Sequence, residues 1–155
     1  MIEYSIFSGL GERPLNEDYA LAERRGDSFC AVLCDGLGGH EGGELASSLV
    51  CETVMAFFRG WDGEGDAGEM LGLWIERAQS ELMQAQKELG KVEGMKTTVS
   101  AIIIHAGKLH ALYVGDSRIY RFRHGFIKGH TPDHSIPQFL AASGEIREKD
   151  IRKHP

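Results

Sequence analysis

Residues 29–43 constrain the fold more than any other stretch. Phe29-Cys30-Ala31-Val32-Leu33-Cys34 is a nearly continuous apolar run, the pattern of a strand buried on both faces. Asp35-Gly36-Leu37-Gly38-Gly39-His40-Glu41-Gly42-Gly43 follows, with five glycines in nine residues. Glycine loses more backbone freedom on folding than any other residue, so no packed element tolerates that density and the stretch reads as a loop. A buried strand that ends on an acid and runs into such a loop sets a carboxylate at a rigid sheet rim. Glycine beside it lets a ligand approach the backbone closely.

The flanking patterns give the rest of the organisation. Ile2, Tyr4 and Ile6 alternate with polar residues and predict a strand, and Tyr19 to Glu23 predicts a second short one. After the glycine loop, Leu45, Leu49, Cys51, Val54, Met55 and Phe58 recur at helical spacing, with Ala46 and Val50 widening the stripe. Gly60 stops this helix. Asp66 caps a second one running to about Leu89, with Leu71, Trp74, Ile75, Ala78, Leu82, Ala85 and Leu89 on its apolar face. The pattern then turns to β at Thr97–His105, Lys108–Val114, Arg118–Arg123 and Phe126–Lys128. Ala106-Gly107 and His124-Gly125 supply the tight turns. Ser135–Ser143 reads as a short helix with Pro137 in its first turn. Strands, two helices and a meander make an α+β chain rather than a regular βαβ alternation.

Composition excludes several functions. The chain of 155 residues carries a formal net charge of −6 and lacks the basic footprint that phosphate-backbone binding needs, so nucleic acid is not an expected partner. No run approaches the ~18 apolar residues of a membrane span, and no signal peptide is visible at the N-terminus. The glycine loop has no following Lys-Ser/Thr, so it is not a P-loop. The three cysteines show neither zinc spacing nor a feasible Cys30–Cys34 bridge. Four strand residues span ~13 Å, beyond the ~7 Å Cα limit for a disulfide. Free thiols point to a reducing compartment, hence a cytoplasmic location.

Three segments combine acids with glycine or arginine at sharp transitions: Arg13-Pro14-Leu15-Asn16-Glu17-Asp18, Asp35 to His40, and Gly115-Asp116-Ser117-Arg118. Hard divalent cations want oxygen donors of this kind. Glu17 and Asp35 read as metal ligands and Arg13 as an anion clamp. Each segment alone also reads as an ordinary turn or cap.

Together, and in this order, they resemble the metal-dependent protein serine/threonine phosphatases of the PP2C type. The motifs are Arg13-x-x-Asn16-Glu17-Asp18, Ala31-x-x-x-Asp35-Gly36-Leu37-Gly38-Gly39-His40 and Gly42-Gly43-Glu44-x-Ala46-Ser47. Met95-Lys96-Thr97-Thr98, Gly115-Asp116-Ser117-Arg118-x-Tyr120 and Thr131-x-Asp133-His134-Ser135 complete the set. The Asp-Gly-x-Gly-Gly-His form is typical of bacterial members. The resemblance implies a sandwich of two antiparallel β-sheets flanked by helices. It also implies two Mn²⁺ or Mg²⁺ ions bridged by Asp35, with Glu17 on one and the Gly36 carbonyl on the other. Asp116 would reach a third, weaker metal position. Water between the ions would attack the phosphorus of a phosphoserine or phosphothreonine in a protein. Arg13 would grip the phosphate, and Asp18 would orient a ligand or a metal water from behind. His40 or a metal-bound water would be the general acid. Thr97 and Thr98 would begin a strand near the site, in a packing role. The implied partners are a phosphorylated protein and a cognate Ser/Thr kinase in a signalling pathway.

Domains of this family continue past the Thr-x-Asp-His-Ser motif into segments that carry further metal-binding aspartates. Residues 1–155 therefore read as one domain, the N-terminal portion, incomplete. The alternative function is a non-catalytic module that binds a phosphoprotein or a complementing chain. A third reading takes the glycine loop as a backbone nest for an anion.

Overall fold

The computed structural model describes residues 2–37 and 42–153. Strands β1 (Asp18–Arg25), β2 (Ser28–Asp35), β3 (Val99–His105) and β4 (Lys108–Val114) form one antiparallel sheet in the order β1-β2-β3-β4. Helices α1 (Gly43–Gly60) and α2 (Ala67–Glu88) lie between β2 and β3 in sequence and cover one face of that sheet. Strands β5 (Tyr120–Arg123) and β6 (Phe126–His130) form a separate two-stranded ribbon. Helix α3 (Ile136–Ala142) and a 3-10 turn (Glu148–Lys153) follow. This is the expected α+β arrangement of antiparallel sheets and helices.

Strand alternation sorts the sheet into two unlike faces. Cys30, Val32 and Cys34 of β2 and Val99, Ala101 and Ile103 of β3 point to the helices and are buried. They meet Ala46, Val50, Cys51, Val54, Met55 and Phe58 of α1 and Leu71, Trp74, Ala78 and Leu82 of α2 in one core. Trp74 packs edge-on against Phe58 and Trp61, with ring centroids 6.2 and 5.7 Å away, and so locks α2 to the end of α1. Asp66 caps α2 as expected, its carboxylate accepting from the Gly68 and Glu69 amides.

The opposite face is apolar and, among the described residues, has no helix on it. Ala20 and Ala22 pair across the ladder with Leu33 and Ala31, and these with Ser100 and Ile102, then Tyr113 and Ala111. Leu33 is 44% exposed and Leu109 57% exposed. The chain exposes 10410 Å², whereas a folded monomer of its mass, 17.1 kDa, exposes roughly 7,800 Å².

Four expectations are corrected. Ile2–Ile6 is not a strand: the segment has no ladder partner among the described residues, Ile6 is 49% exposed, and the Tyr4 ring docks 5.3 Å from Phe29. Alternation alone does not make a strand without an edge to pair with. Leu45 and Leu89, placed in the apolar stripes, are exposed instead, while Ser47 and Thr53 of α1 are buried. Thr97 and Thr98 precede β3, and Gly36 pairs with Thr97 in an isolated bridge. Arg118 and Ile119 precede β5 because Arg118 turns away to pair with Asp133. Both hairpin turns hold, with positive φ at Ala106 (48°) and Gly107 (75°) and at His124 (54°) and Gly125 (79°), the geometry that matches strand twist.

Candidate active site

Asp35 to Leu37, Gly42-Gly43 and three neighbouring segments meet at one rim of the four-stranded sheet. The β1–β2 register sets Asp18 directly opposite Asp35, close enough for the Asp18 charge to act on the Asp35 carboxyl. Beyond the ladder, the Gly36 amide donates to the Glu17 carbonyl at 3.0 Å, and the Leu37 amide to the Lys96 carbonyl at 2.9 Å. Gly36 is held between two backbones. A Cβ there would collide with the Gly43 carbonyl and lie 2.9 Å from the Glu17 oxygen. The chain therefore enters α1 through a gap that only glycine fits.

Glu17 sits across that gap. Its carboxylate abuts Gly43, so that a Cβ on Gly43 would lie 2.5 Å from Glu17 Oε1. Its side chain is only 12% exposed. The first turn of an 18-residue helix is a favourable place for an anion, because its amides carry partial positive charge. Arg13 lies outside, 69% exposed, its guanidinium 3.9 Å from the Glu17 carboxylate. Arg13, Glu17, Asp18 and Asp35 line a cleft of about 500 Å³ together with the glycines at 9 and 11.

Asp35 is the electrostatic centre. Burial pushes its carboxyl above the usual carboxylate range, Asp18 adds to this through charge and hydrogen bonding, and Asp116 through charge. Arg13 acts in the opposite direction. Carboxylates from three segments are thus crowded together, with one exposed cation to offset them. That excess negative charge and the all-oxygen donor set fit a hard divalent cation. Their number does not close its coordination shell: among the described residues, no three His, Cys, Asp or Glu side chains group tightly enough to hold an ion.

The sequence missed two hydroxyls at the heart of this arrangement. Thr97 and Thr98 do more than pack. Thr97 donates to the Asp35 carbonyl at 3.0 Å, and the Thr98 amide donates to the same oxygen at 2.9 Å. The Thr98 hydroxyl accepts from the Asp35 amide at 3.1 Å and pairs with the Ser117 hydroxyl at 2.9 Å. The signal lay in the position of the Thr pair, directly before a β-branched run, where a hydroxyl can substitute for a ladder partner. His134 orders the same region. Its amide donates to the Gly115 carbonyl at 2.9 Å, and its ring accepts from the Gly115 amide at 3.3 Å while stacking on Tyr113. Arg118 and Asp133 form a bidentate pair beside it. His40, Gly38 and Gly39 lie outside the described residues.

Comparison with known proteins shows the family. Residues 11–134 match the family model for protein phosphatase 2C. The serine/threonine protein phosphatase PstP of Mycobacterium tuberculosis is 34% identical over 159 aligned positions, covering 100% of this chain and 29% of PstP. The crystal structure of the serine/threonine phosphatase Stp1 from Staphylococcus aureus superposes with a TM-score of 0.84 at 29% identity, covering 94% of this chain and 58% of that one. The catalytic domain of PstP in complex with two manganese ions superposes with a TM-score of 0.76 at 31% identity, covering 89% and 58%. The chain thus spans less than two thirds of the length of each of these relatives. With the match running through residues 11–134, the chain belongs to the protein phosphatase 2C family.

Proposed function

We propose that this chain supplies the Asp35 side of a metal-dependent centre that hydrolyses phosphoserine and phosphothreonine in proteins. The observation that carries this reading is the convergence of Asp18, Asp35 and Asp116 on one rim with Arg13 at its mouth. Two Mn²⁺ or Mg²⁺ ions, when bound, would supply Lewis-acid activation of water and of the phosphate. Asp35 and Glu17 are the donors this chain offers them, with the Gly36 carbonyl beside them and Asp116 for a third, weaker position. Asp18, directly opposite Asp35 in the ladder, would orient a ligand or a metal water from behind. Arg13, exposed and forked, receives the phosphate oxygens and offsets their charge. His40 is a candidate for returning a proton to the leaving hydroxyl. The substrate is a phosphorylated protein, with a Ser/Thr kinase as the opposing enzyme in a signalling pathway. The proposal includes a cytoplasmic location, which suits Cys30, Cys34 and Cys51, all buried and unpaired.

The test is Mn²⁺-dependent release of phosphate from a phosphothreonine peptide, with Asp35→Asn as control. Activity present in the chain and absent in the control supports the reading, and undiminished activity in Asp35→Asn removes Asp35 from its role. A second reading, a non-catalytic module that binds a phosphoprotein or a complementing chain, is favoured by the open apolar sheet face. Metal-independent capture of the phosphopeptide without turnover would select it.

A further inference from the structure

Outside the carboxylates, the site has a second polar layer that no ligand would touch. Thr98 is 9% exposed and Ser100 7% exposed. The Thr98 hydroxyl has one side on the Asp35 amide and the other on the Ser117 hydroxyl. The Ser100 hydroxyl donates to the Ser117 carbonyl at 3.1 Å. Gly115, at φ 113°, is pressed so closely on Thr98 that a Cβ there would lie 2.6 Å from Thr98 Cγ2. The loop carrying Asp116 is thus fastened to the start of β3 through its two neighbours, Gly115 and Ser117. The start of β3 is in turn fastened to the backbone of Asp35.

We infer that Thr98 is a positioning residue: its hydroxyl, bridging the Asp35 amide and Ser117, fixes the spacing between the Asp35 strand end and the Asp116 loop. The bridge is short, partly buried and made of groups with few alternatives. Leu33 and Ser100 are the last register pair of β2 and β3, so beyond it Asp35 is tied to β3 by Thr97 and Thr98. Removing the hydroxyl orphans the Asp35 amide and frees Ser117 to rotate, while both carboxylates stay chemically intact. This rests on the metal-centre reading above. It predicts that a residue contacting no ligand sets how well the two acids serve the same cation.

The experiment measures Mn²⁺ uptake by the full chain from the loss of the free-ion electron paramagnetic resonance signal, independently of any turnover. Thr98→Val keeps the shape and removes the hydroxyl. It should weaken uptake about 10-fold or more, the usual effect of losing a partner behind the ligands, whereas Thr98→Ser should stay within about 2-fold of the parent. Ser117→Ala should weaken uptake in the same direction. Ile103→Val, buried in β3, the strand that follows Thr98, controls for general softening and should leave uptake unchanged at a similar loss of melting temperature. Parental uptake in Thr98→Val overturns the inference, and so does an equal loss in Ile103→Val. A parent chain that takes up no Mn²⁺ overturns the metal-centre reading along with it, and is told apart because the variants then have no signal to lose.

Discussion

Two glycines predict opposite outcomes for the same substitution. Gly36 is buried between the carbonyls of Glu17 and Gly43, and a methyl group there meets backbone on both sides, closer than real Cβ atoms come. Neither neighbour is the flexible end of a side chain, so the clash is relieved only by moving β2 away from the start of α1. Overpacking of this kind costs about 1–3 kcal/mol. The hydrogen bond from the Gly36 amide to Glu17 adds about 0.5–1.5 kcal/mol if it is lost. Gly36→Ala is therefore expected to destabilise by about 2–4 kcal/mol, or roughly 4–16 °C for a chain of this size. Gly72 lies inside α2 with nothing within 4 Å of where its Cβ would be. Gly72→Ala should stabilise by about 0.5–1 kcal/mol, because alanine has less freedom to lose in a helix. Thermal melts followed by far-ultraviolet circular dichroism on the parent and both variants decide the matter. A Gly36→Ala melt at or above the parent would refute the account of the gap through which the chain enters α1.

Other consequences concern charge and thiols. Replacing Asp35 by Asn removes a half-buried carboxylate that Asp18 and Asp116 destabilise; the melting temperature without metal should rise while Mn²⁺-dependent hydrolysis is lost, and a fall would show that the acids support the fold rather than strain it. The Arg118 guanidinium holds the Asp133 carboxyl below its ordinary value. That stabilisation is complete above the unfolded carboxyl's pKa of about 3.9 and is lost as pH falls through the lower folded value. The melting difference between the parent and Asp133→Asn should therefore hold near neutral pH and shrink below about pH 4; a constant difference across that range would count against the pair. Burial pushes the Cys30 thiol up to about 12. The Cys51 thiol is raised further, first by its hydrogen bond with Cys34 and then by burial. All three thiols should resist Ellman's reagent in the native chain and react only on unfolding, and rapid native reaction of any one would contradict the packing.

Periodicity gave the helices, the meander and both hairpin turns, because each is set by residues close in sequence. The α2 cap at Asp66 was legible for the same reason: the carboxylate reaches amides two and three residues on. What failed depended on distant partners. Ile2, Tyr4 and Ile6 have strand alternation but no ladder, and nothing within the segment reports whether a sheet edge is free. Leu45 has the right spacing but sits at the turn of α1 that overhangs the rim rather than the core. The site divides in the same way. Asp35, Glu17 and Arg13 stood out only together: each segment alone reads as an ordinary turn or cap, and their order along the chain carries the resemblance. Thr98 did not, because a threonine before a β-branched run is ordinary until its hydroxyl is seen between Asp35 and Ser117.

The open face and the acidic rim belong to the same surface. Asp18 and Asp35 lie on the strand face that also carries Ala20, Ala22, Ala31 and Leu33, away from the helices. A layer covering the apolar part must run up to, and over, the acids. Its burial would remove water from around Asp35 and strengthen every charge interaction there. An ion that neutralises Asp35 would in turn relieve the cost of that burial. Completion of the core and completion of the site are therefore coupled, and the coupling is reciprocal. If the remaining strands of a longer relative are added in trans, melting temperature and Mn²⁺ affinity should rise together, and Mn²⁺ should tighten association of the two pieces. Asp35→Asn should keep the association and lose its Mn²⁺ dependence. Association that is indifferent to Mn²⁺ in the parent chain would separate the open face from the acidic rim and refute the coupling.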